Sequence, residues 1–335
     1  MSSNPDFKKT TVETIAKRAG YKCSNPDCRV NTIGPNTNPN KTTKIGEAAH
    51  IYGARQNSKR YEPKMTNIAR KAITNAIWLC RNCHKLIDAD EHKYTATLLF
   101  LWREKHEEFI FSTLGSKTEQ MLFDQLNSDL REFEGYPPII KRIIIDKPFA
   151  WEYRLTAELM RHLNKPIFRK LQDLRNGLYL KKIERVNEEN AFNWVEERIQ
   201  EMQRIIEPTP SLLNSLNQSF GESGEPGDEY EIHHITILFK KYFDFVVEFE
   251  ERIHFISVPE GYKKIVSMLK NIVGSQIQKL FAIPDILDDI IAQNEKNEDK
   301  DKKQRVIKRA FVFDAPKNWS EDFVKEVNRL EKDRR

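Results

Sequence analysis

The sequence predicts an α+β protein in which a small domain containing all four cysteines precedes a larger, mainly helical domain. Its 335 residues are enough for about two domains. The cysteines all lie before residue 84, the basic charge is concentrated in the first third, and apolar residues beyond residue 119 recur every three or four positions. We therefore expect one domain at residues 1–116 and a second at residues 117–335.

The first domain is predicted to begin with a helix. Thr10 and Glu13 have the spacing of a capping box, in which a hydroxyl and a carboxylate bond free backbone N–H groups. Ile15 and Ala16 lie on one face of this helix, and Gly20 supplies its end. We next expect a loop at residues 32–43, a short strand at 44–51 and an irregular basic stretch at 53–70. An apolar run at 75–79, a short helix from residue 83 onward and a long amphipathic helix at 95–114 should follow.

The second domain is predicted to be mainly helical. Two short runs of β-branched or aromatic residues, 143–145 and 310–313, have the composition of strands that pair as a small sheet. Ser320 is expected to cap the last helix, with Trp319 and Val324 in contact across its first turn. The main helical segments are expected at 151–180, 190–206, 232–256 and 260–295.

The net charge differs in sign between the two parts of the chain. Residues 1–118 carry 20 Lys/Arg and 11 Asp/Glu, a net charge of +9, and the rest carries 35 and 39, a net charge of −4. A basic domain joined to an acidic one indicates that only the first part meets a polyanion. No apolar run approaches the ~20 residues of a membrane span, and the N-terminus lacks the apolar core of a signal peptide. We therefore expect a cytoplasmic protein that contacts no membrane and keeps its cysteines reduced.

The four cysteines form two closely spaced pairs. Cys23 and Cys28 are separated by four residues, and Cys80 and Cys83 by two. Pairs with this spacing can each hold one side of a tetrahedral zinc ion through thiolate ligands. The 51 residues between the pairs exceed the hairpin of a single zinc finger and leave room for a strand and a loop. We predict a structural Zn²⁺ site, with four buried free thiols as the alternative.

Three blocks of sequence resemble the HNH endonuclease family, in the order in which they occur. Two of them lie between the cysteine pairs, and the third contains the second pair. The first block, AAHI, lies on the predicted strand and contains His50. The second, NAIWL, begins with Asn75, and the third, CRNCHKLID, contains His84 and Asp88. The resemblance covers residues 10–110. It implies a ββα unit around one catalytic metal ion, and hydrolysis of DNA phosphodiester bonds to 3′-hydroxyl and 5′-phosphate ends.

The resemblance assigns a role to each of these residues. His50 would be the general base that activates water, because imidazole titrates near neutral pH, and Asn75 would orient its ring. His84 and Asp88 are four positions apart on a helix and share one face, so they would bind a catalytic Mg²⁺ or Mn²⁺. Taken alone, these residues could be a packed histidine, a turn cap and surface charge. Their joint occurrence around the cysteines favours catalysis.

One position departs from the family pattern. Many members have an acidic residue or a histidine immediately before the general base, whereas this chain has Ala49, which cannot bind a metal ion. The catalytic ion would then depend on His84, Asp88, water and the substrate. Glu47 is a conceivable replacement ligand, but three positions along a strand place it on the opposite face from His50.

DNA contacts are expected from basic side chains around the predicted site. Contacts with phosphate fix position on DNA without reading its sequence, so we expect weak sequence preference. Two tryptophans, Trp78 and Trp102, are expected in the core rather than stacked on bases. The predicted DNA-contacting residues are Arg55, Lys59, Arg60, Lys64, Arg81 and Lys85.

Residues 117–335 carry no motif that defines their function. In the HNH family, a small nuclease domain that precedes a longer unrelated domain is frequent in bacterial defence effectors. The resemblance therefore implies a regulated antiviral nuclease, whose second domain takes an activating ligand, a protein partner or a second copy of the chain. A scaffold that only positions DNA, a non-catalytic zinc-stabilised DNA-binding module and a nuclease subunit of a larger complex stay open as alternatives.

Overall fold

The computed structural model describes residues 5–113, 130–222, 225–296 and 316–333. These residues form a mixed, mostly helical protein with small two-stranded sheets. The chain divides into two compact units, Met1–Trp151 and Glu152–Arg335. The boundary predicted near residue 116 lies outside the described residues, and residues 130–151 belong to the first unit, which is therefore longer than 1–116.

The first unit is organised around two antiparallel strands, β3 and β4. Gly46 pairs with Cys80 at one end of this ladder, and His50 pairs with Ala76 at the other. Every residue of β4 is buried, because α1, α3 and α4 all pack against it. A side chain at Gly46 would overlap the Trp78 ring, so glycine is required there. The elements of this unit are α1 (Lys9–Arg18), β1 (Ile33–Pro35), β2 (Thr42–Lys44), β3 (Gly46–His50), α2 (Asn67–Lys71), β4 (Ala76–Cys80), α3 (Arg81–Ala89), α4 (Ala96–Thr113) and α5 (Pro138–Asp146).

Most elements predicted for the first unit are confirmed, with four corrections, one of which is that the stretch at 53–70, predicted to be irregular, ends in α2. The strand ending at His50, the helix after the second cysteine pair and the long helix are all present. Thr10 lies inside α1, which starts at Lys9 without a side-chain cap, so the predicted capping box is wrong. The predicted loop at 32–43 contains β1 and leads into β2. The predicted strand at 143–145 is part of α5, because its isoleucines continue a buried helical face.

A buried network of ion pairs joins α1, α4 and α5. Arg103 and Arg142 each pair with both Glu107 and Asp146, and Arg18 reaches the same two carboxylates from α1. Burial alone would raise the pKa of Glu107, but the three guanidinium groups hold it well below its usual range. Because α5 supplies Arg142 and Asp146, this network ties residues beyond 116 to the first unit.

The second unit is a helical bundle with one short pair of parallel strands. Its core consists of aliphatic and aromatic side chains from most of its helices. In the part of the chain that the structure describes, no helix is both long and apolar enough to cross a membrane. The elements are α6 (Trp151–Arg175), β5 (Glu184–Arg185), α7 (Glu188–Ile206), α8 (Thr209–Ser219), α9 (Glu229–His254), β6 (Ile256–Ser257), α10 (Lys263–Leu269), α11 (Ile272–Leu280), α12 (Ile283–Lys296) and α13 (Trp319–Asp333).

The helical segments predicted for the second unit are confirmed, but the details of the last helix are not. The segment at 260–295 is three helices, and α8 lies between two predicted segments. Trp319 is the first residue of α13 and stacks on Phe323, with ring centroids 4.5 Å apart, whereas Val324 is exposed. Ser320 therefore lies inside α13 and does not cap it. The predicted Trp319–Val324 contact is also wrong, because Phe323, four residues after Trp319, shares its helix face. The predicted strand at 310–313 lies outside the described residues.

Candidate functional site

The four cysteines come together where the loop after α1 meets the junction of β4 and α3. Their sulfur atoms lie within 4.8 Å of one another, and Cys28 Sγ is 3.9 Å from Cys80 Sγ. In a tetrahedral site with Zn–S bonds of about 2.3 Å, the sulfurs would be about 3.8 Å apart. All four are free thiols, and three are buried. The cluster therefore fits a metal ion such as zinc.

Hydrogen bonds to the sulfur atoms and burial of the cluster act on the cysteine pKa values in opposite directions. The Asn25 Nδ2 donates to Cys83 Sγ at 3.3 Å, and the backbone N–H of Cys83 donates to Cys80 Sγ at 3.5 Å. Burial raises the pKa of Cys83 to about 11 and also raises the pKa of Cys23. Burial alone would raise the pKa of Cys80 too, but bonds from neighbouring cysteines lower it. A bound cation would therefore release protons as it forms thiolates.

His50 is the last residue of β3, and residues near the N-terminus cover its ring. The Phe7 ring stacks on the imidazole, with centroids 3.8 Å apart and an interplanar angle of 10°. The Nε2 atom lies 3.2 Å from the Pro5 carbonyl oxygen and must donate to it, because a carbonyl only accepts. In the neutral ring this leaves the lone pair on Nδ1, so Nδ1 is the nitrogen that can take a proton.

The surroundings of His50 favour the neutral imidazole. Burial lowers its pKa, and the Arg55 and His84 charges lower it further. The Pro5 carbonyl and the Asp6 carboxylate act in the opposite direction without cancelling the effect of burial. A lowered pKa keeps the ring unprotonated at neutral pH, as a general base requires.

Replacing Phe7 with alanine is expected to raise the pKa of His50, because it uncovers one face of the ring and reduces the burial that penalises the charged form. Titration of the imidazole by NMR measures this shift. The matched control is Phe149→Ala, which removes a half-exposed phenylalanine from the segment between α5 and α6 and should leave the His50 pKa unchanged. An unchanged or lower pKa in Phe7→Ala would contradict the assignment of burial as the cause.

Asn75 is completely buried and holds the backbone beside His50 rather than its ring. Its Oδ1 accepts from the N–H of Tyr52, and its Nδ2 donates to the carbonyls of Tyr52 and Arg70. Its carbonyl accepts from the N–H of Ile51, the residue after His50. Both amide hydrogens are thus used by backbone, so Asn75 does not make the predicted contact with the imidazole. Asn75 fixes the backbone where the chain leaves β3, and the Pro5 carbonyl orients the His50 ring.

His84 lies in α3 between two carboxylates. Its Nδ1 is 2.9 Å from Glu47 Oε2, and its Nε2 is 3.7 Å from Asp88 Oδ2. The other Asp88 oxygen accepts from Arg60 at 2.8 Å. A histidine that binds a metal ion commonly donates its other N–H to a carboxylate, and Glu47 is in place to accept it. This arrangement directs Nε2 of His84 and Oδ2 of Asp88 toward each other.

Glu47 is the residue that sequence reasoning undervalued. The strand period does separate its face from that of His50, but Glu47 follows Gly46, which pairs with Cys80 at the point where α3 begins. Its carboxylate therefore reaches the first turns of α3, where it also accepts from Arg81 at 3.0 Å. The hydrogen bond from His84 lowers the pKa of Glu47. The proximity of Glu47 to His84 could have been predicted from the sequence if the end of the β3–β4 pair had been placed beside the start of α3.

The side chains that could bind a metal ion lie closest together at the four cysteines. Among the residues that the structure describes, the cysteine cluster is the one group of three or more His, Cys, Asp or Glu residues arranged to hold a metal ion. His84 and Asp88 bring two ligand atoms near each other, and a Mg²⁺ or Mn²⁺ site there stays a prediction.

Most of the predicted DNA-contacting side chains are on the surface, but Arg60 is not. The Arg60 guanidinium, whose side chain is 6% exposed, donates to the carbonyls of Ile51 and Ile87 and to Asp88. Arg60 therefore holds the His50 strand to α3, which corrects its predicted role. Trp78 and Trp102 are buried, as predicted. The exposed members of the predicted set are Arg55, Lys59, Lys64, Arg81 and Lys85.

Comparisons of the chain with protein-family models, curated proteins and solved structures found no match. The resemblance to the HNH family therefore rests on the residues and motifs quoted above. The structure supports a coarser statement, a mostly helical mixed fold with four cysteines that could hold a metal ion such as zinc.

Proposed function

We propose that this chain is a metal-dependent endonuclease of the HNH type that hydrolyses DNA. One observation carries the proposal: His50 ends the first strand of an antiparallel pair, and the second strand runs through a cysteine cluster into a helix with His84 and Asp88. This order, β3–β4–α3, is the ββα order that the resemblance implies. A further role as the regulated effector of a bacterial anti-phage or restriction-type system rests on the resemblance alone.

The proposed reaction starts at Nδ1 of His50. This nitrogen takes a proton from water while the water oxygen attacks phosphorus, and the bond between phosphorus and the 3′-oxygen breaks. The leaving 3′-oxygen takes a proton from solvent water and becomes the 3′-hydroxyl end. The imidazole then carries a positive charge, which the Pro5 carbonyl at Nε2 and the nearby Asp6 carboxylate stabilise. Phe7 shields one face of the ring, so water can approach from fewer directions.

His84 and Asp88 are the residues that would hold the catalytic Mg²⁺ or Mn²⁺. Glu47 fixes the orientation of the His84 ring, and Arg60 fixes the Asp88 carboxylate, so both ligand atoms are preorganised. A bound divalent ion would supply positive charge to the phosphate oxygen and the leaving 3′-oxygen. Without a ligand at Ala49, water and the substrate would complete its coordination.

The exposed basic side chains would hold the DNA backbone. Arg55 and Arg81 pair with Asp6 and Glu47 at the surface, and these exposed ion pairs are weak enough for a phosphate to replace them. Binding through phosphate contacts should weaken steeply as salt concentration rises.

A non-catalytic DNA-binding module is the second candidate. Two observations favour it, the absence of a ligand side chain at Ala49 and the covering of His50 by Phe7 and Pro5. Such a module would bind DNA with the same salt dependence but would not cleave it.

Incubation of the purified protein with supercoiled plasmid tests the proposal. We expect nicking that requires Mg²⁺ or Mn²⁺, stops in EDTA and leaves 3′-hydroxyl and 5′-phosphate ends, which DNA ligase can reseal. His84→Ala should lose this activity, and the matched control His92→Ala, which removes an exposed histidine beyond α3, should keep it. Salt-sensitive DNA binding without cleavage under any divalent ion would instead support the binding module.

A further inference from the structure

The first unit contains an exposed β-hairpin formed by β1 and β2. Among the described residues, these two strands pair with each other and with no other strand. Pro35 pairs with Thr42, so residues 36–41 form the turn, and every residue from Pro35 to Ile45 is exposed. A two-stranded hairpin is at best marginally stable on its own. Burial of a hydrophobic core therefore does not account for its exposed part.

Hydrogen bonds fix the base of the hairpin beside the candidate site. The Ile45 N–H donates to the Thr32 carbonyl at 2.8 Å, and the Ile45 carbonyl accepts from the N–H of Arg81 at 3.2 Å. Arg81 is the first residue of α3, the helix that carries His84. The Thr32 hydroxyl accepts from Nε1 of Trp78 at 2.8 Å. The base of the hairpin is therefore held next to the N-terminal end of α3.

Asparagine side chains hold the turn of the hairpin. Oδ1 of Asn36 accepts from the Asn38 N–H at 3.0 Å, and its Nδ2 donates to the Thr43 hydroxyl at 3.1 Å. Oδ1 of Asn38 accepts from the Asn40 N–H at 3.0 Å. The side-chain amide of Asn40 is exposed and makes no hydrogen bond to another described residue. Two asparagines thus shape the turn, and the third presents a donor and an acceptor to solvent.

The hairpin carries positive charge without any carboxylate. Residues 28–46 contain Arg29, Lys41 and Lys44, and no Asp or Glu. Lys41 is exposed in the turn, next to Asn40. A surface of this kind attracts a polyanion and has no acidic side chain to repel it. Its charge therefore complements DNA.

The dimensions of the hairpin suit the major groove of duplex DNA. Paired strands lie about 4.8 Å apart before their side chains are added. The major groove, about 12 Å wide, admits such a ribbon, whereas the minor groove is only about 6 Å wide. The chain from Ile45 to Lys41 spans at most about 14 Å, or about four base pairs at roughly 3.4 Å each. One duplex can therefore contact both Arg81 and the turn.

We propose that the β1–β2 hairpin enters the major groove of double-stranded DNA, where the Asn40 amide recognises an adenine. An asparagine amide accepts from N6 of adenine and donates to N7, and this pair of contacts distinguishes adenine from the other bases. Lys41 binds a neighbouring phosphate, which carries no sequence information. This inference rests on the proposed function, because it takes DNA as the substrate. It adds preference for an A·T pair to the weak preference expected from phosphate contacts alone.

Selection from a pool of randomised DNA duplexes tests the contact. The full-length protein binds the pool without added divalent ion, and the bound duplexes are sequenced. The wild type should enrich an A·T pair at one position, and Asn40→Ala should lose this enrichment while binding the unselected pool with unchanged affinity. Lys41→Gln should weaken binding to all sequences alike and lower the salt dependence of log K by about one contact. Asn40→Ala keeps the turn, because Asn38 bonds only the backbone of residue 40, and circular dichroism checks its folding.

Replacement of the selected adenine identifies the atoms that are contacted. 7-Deazaadenine lacks the N7 acceptor of the major groove and should weaken wild-type binding about tenfold, as expected for loss of a specific base contact. 3-Deazaadenine lacks the N3 acceptor of the minor groove and should leave the affinity unchanged. Asn40→Ala should bind the duplexes with adenine and with 7-deazaadenine equally well.

Two variants of exposed residues in the second unit are the matched controls. Asn214→Ala and Lys241→Gln should select the same duplexes as the wild type. If the wild type binds and cleaves DNA without enrichment, or if Asn40→Ala keeps the enrichment, the hairpin contact is overturned and the proposed function stands. A larger effect of 3-deazaadenine than of 7-deazaadenine also overturns the hairpin contact. No DNA binding by the wild type would overturn both.

Discussion

Replacing His50 with alanine is expected to slow DNA cleavage by about 10²–10⁴-fold, the usual contribution of a general base. The variant loses the nitrogen that is proposed to take the proton from water, while the cysteines, His84 and Asp88 remain. The loss corresponds to roughly 3–5 kcal/mol in activation free energy. The initial rate of plasmid nicking measures it, under conditions in which the wild type is active.

Two further measurements distinguish loss of the base from loss of structure. Added imidazole should partly restore cleavage by His50→Ala, because a free base can occupy the space that the side chain leaves. DNA affinity, measured by fluorescence anisotropy, should stay close to that of the wild type, since the exposed basic residues are intact. Equal nicking rates for wild type and His50→Ala would exclude His50 as the base.

Removing the zinc ion predicted at the cysteine cluster is expected to unfold the first unit. Structural zinc sites in small domains contribute roughly 10–16 kcal/mol of apparent binding free energy, whereas a whole domain is stable by only about 5–15 kcal/mol. The cluster joins the loop after α1 to β4 and α3, which carry most of the site. Without the ion, the buried cysteines favour neutral thiols, because burial raises the pKa of Cys23 and Cys83, and nothing then links the three segments.

Hydrogen exchange with mass spectrometry, before and after a zinc chelator, measures this effect. We expect one zinc ion per chain in the untreated protein, and loss of protection in the described parts of residues 5–151 after chelation. Residues of the second unit should keep their protection, because its core is built from its own helices. Unchanged protection of β4 and α3 after complete metal loss would exclude a structural role for the ion.

A pair of adjacent substitutions supplies the matched control for the zinc experiment. Cys23→Ser removes a predicted ligand and should reproduce the effect of the chelator, whereas Ser24→Ala changes a neighbouring buried residue and should retain one zinc ion. If both variants keep the metal and melt like the wild type, Cys23 is not a ligand.

Local patterns in the chain predicted the elements that carry the site. The strand ending at His50, the apolar strand before Cys80 and the helix after it follow from periodicity and from residues near each other in sequence. The run of isoleucines at 143–145 shows the limit of such patterns. β-Branched residues favour strands, but here Ile143 and Ile144 extend the buried face of α5 that Ile139 and Ile140 begin. Arg142 pairs with Asp146 four positions later.

Contacts between residues far apart in the chain could not be predicted in the same way. Arg55 and Arg60 are both arginines of one basic stretch, yet one is exposed and the other holds three internal partners. Asn75 and Glu47 likewise have roles set by which backbone and which side chain lie beside them. The covering of His50 by Phe7 joins residues separated by more than forty positions.

Residue identity and spacing alone were sufficient for the cysteine cluster, the histidine-bearing elements and the helical character of the second half. Folding in three dimensions was needed to assign Pro5 and Phe7 to His50, and Glu47 to His84. The physical reason is that a ligand spacing or a helix period is encoded over a few neighbouring residues. The partner and burial of a charged or aromatic side chain depend on distant segments that meet only when the chain packs.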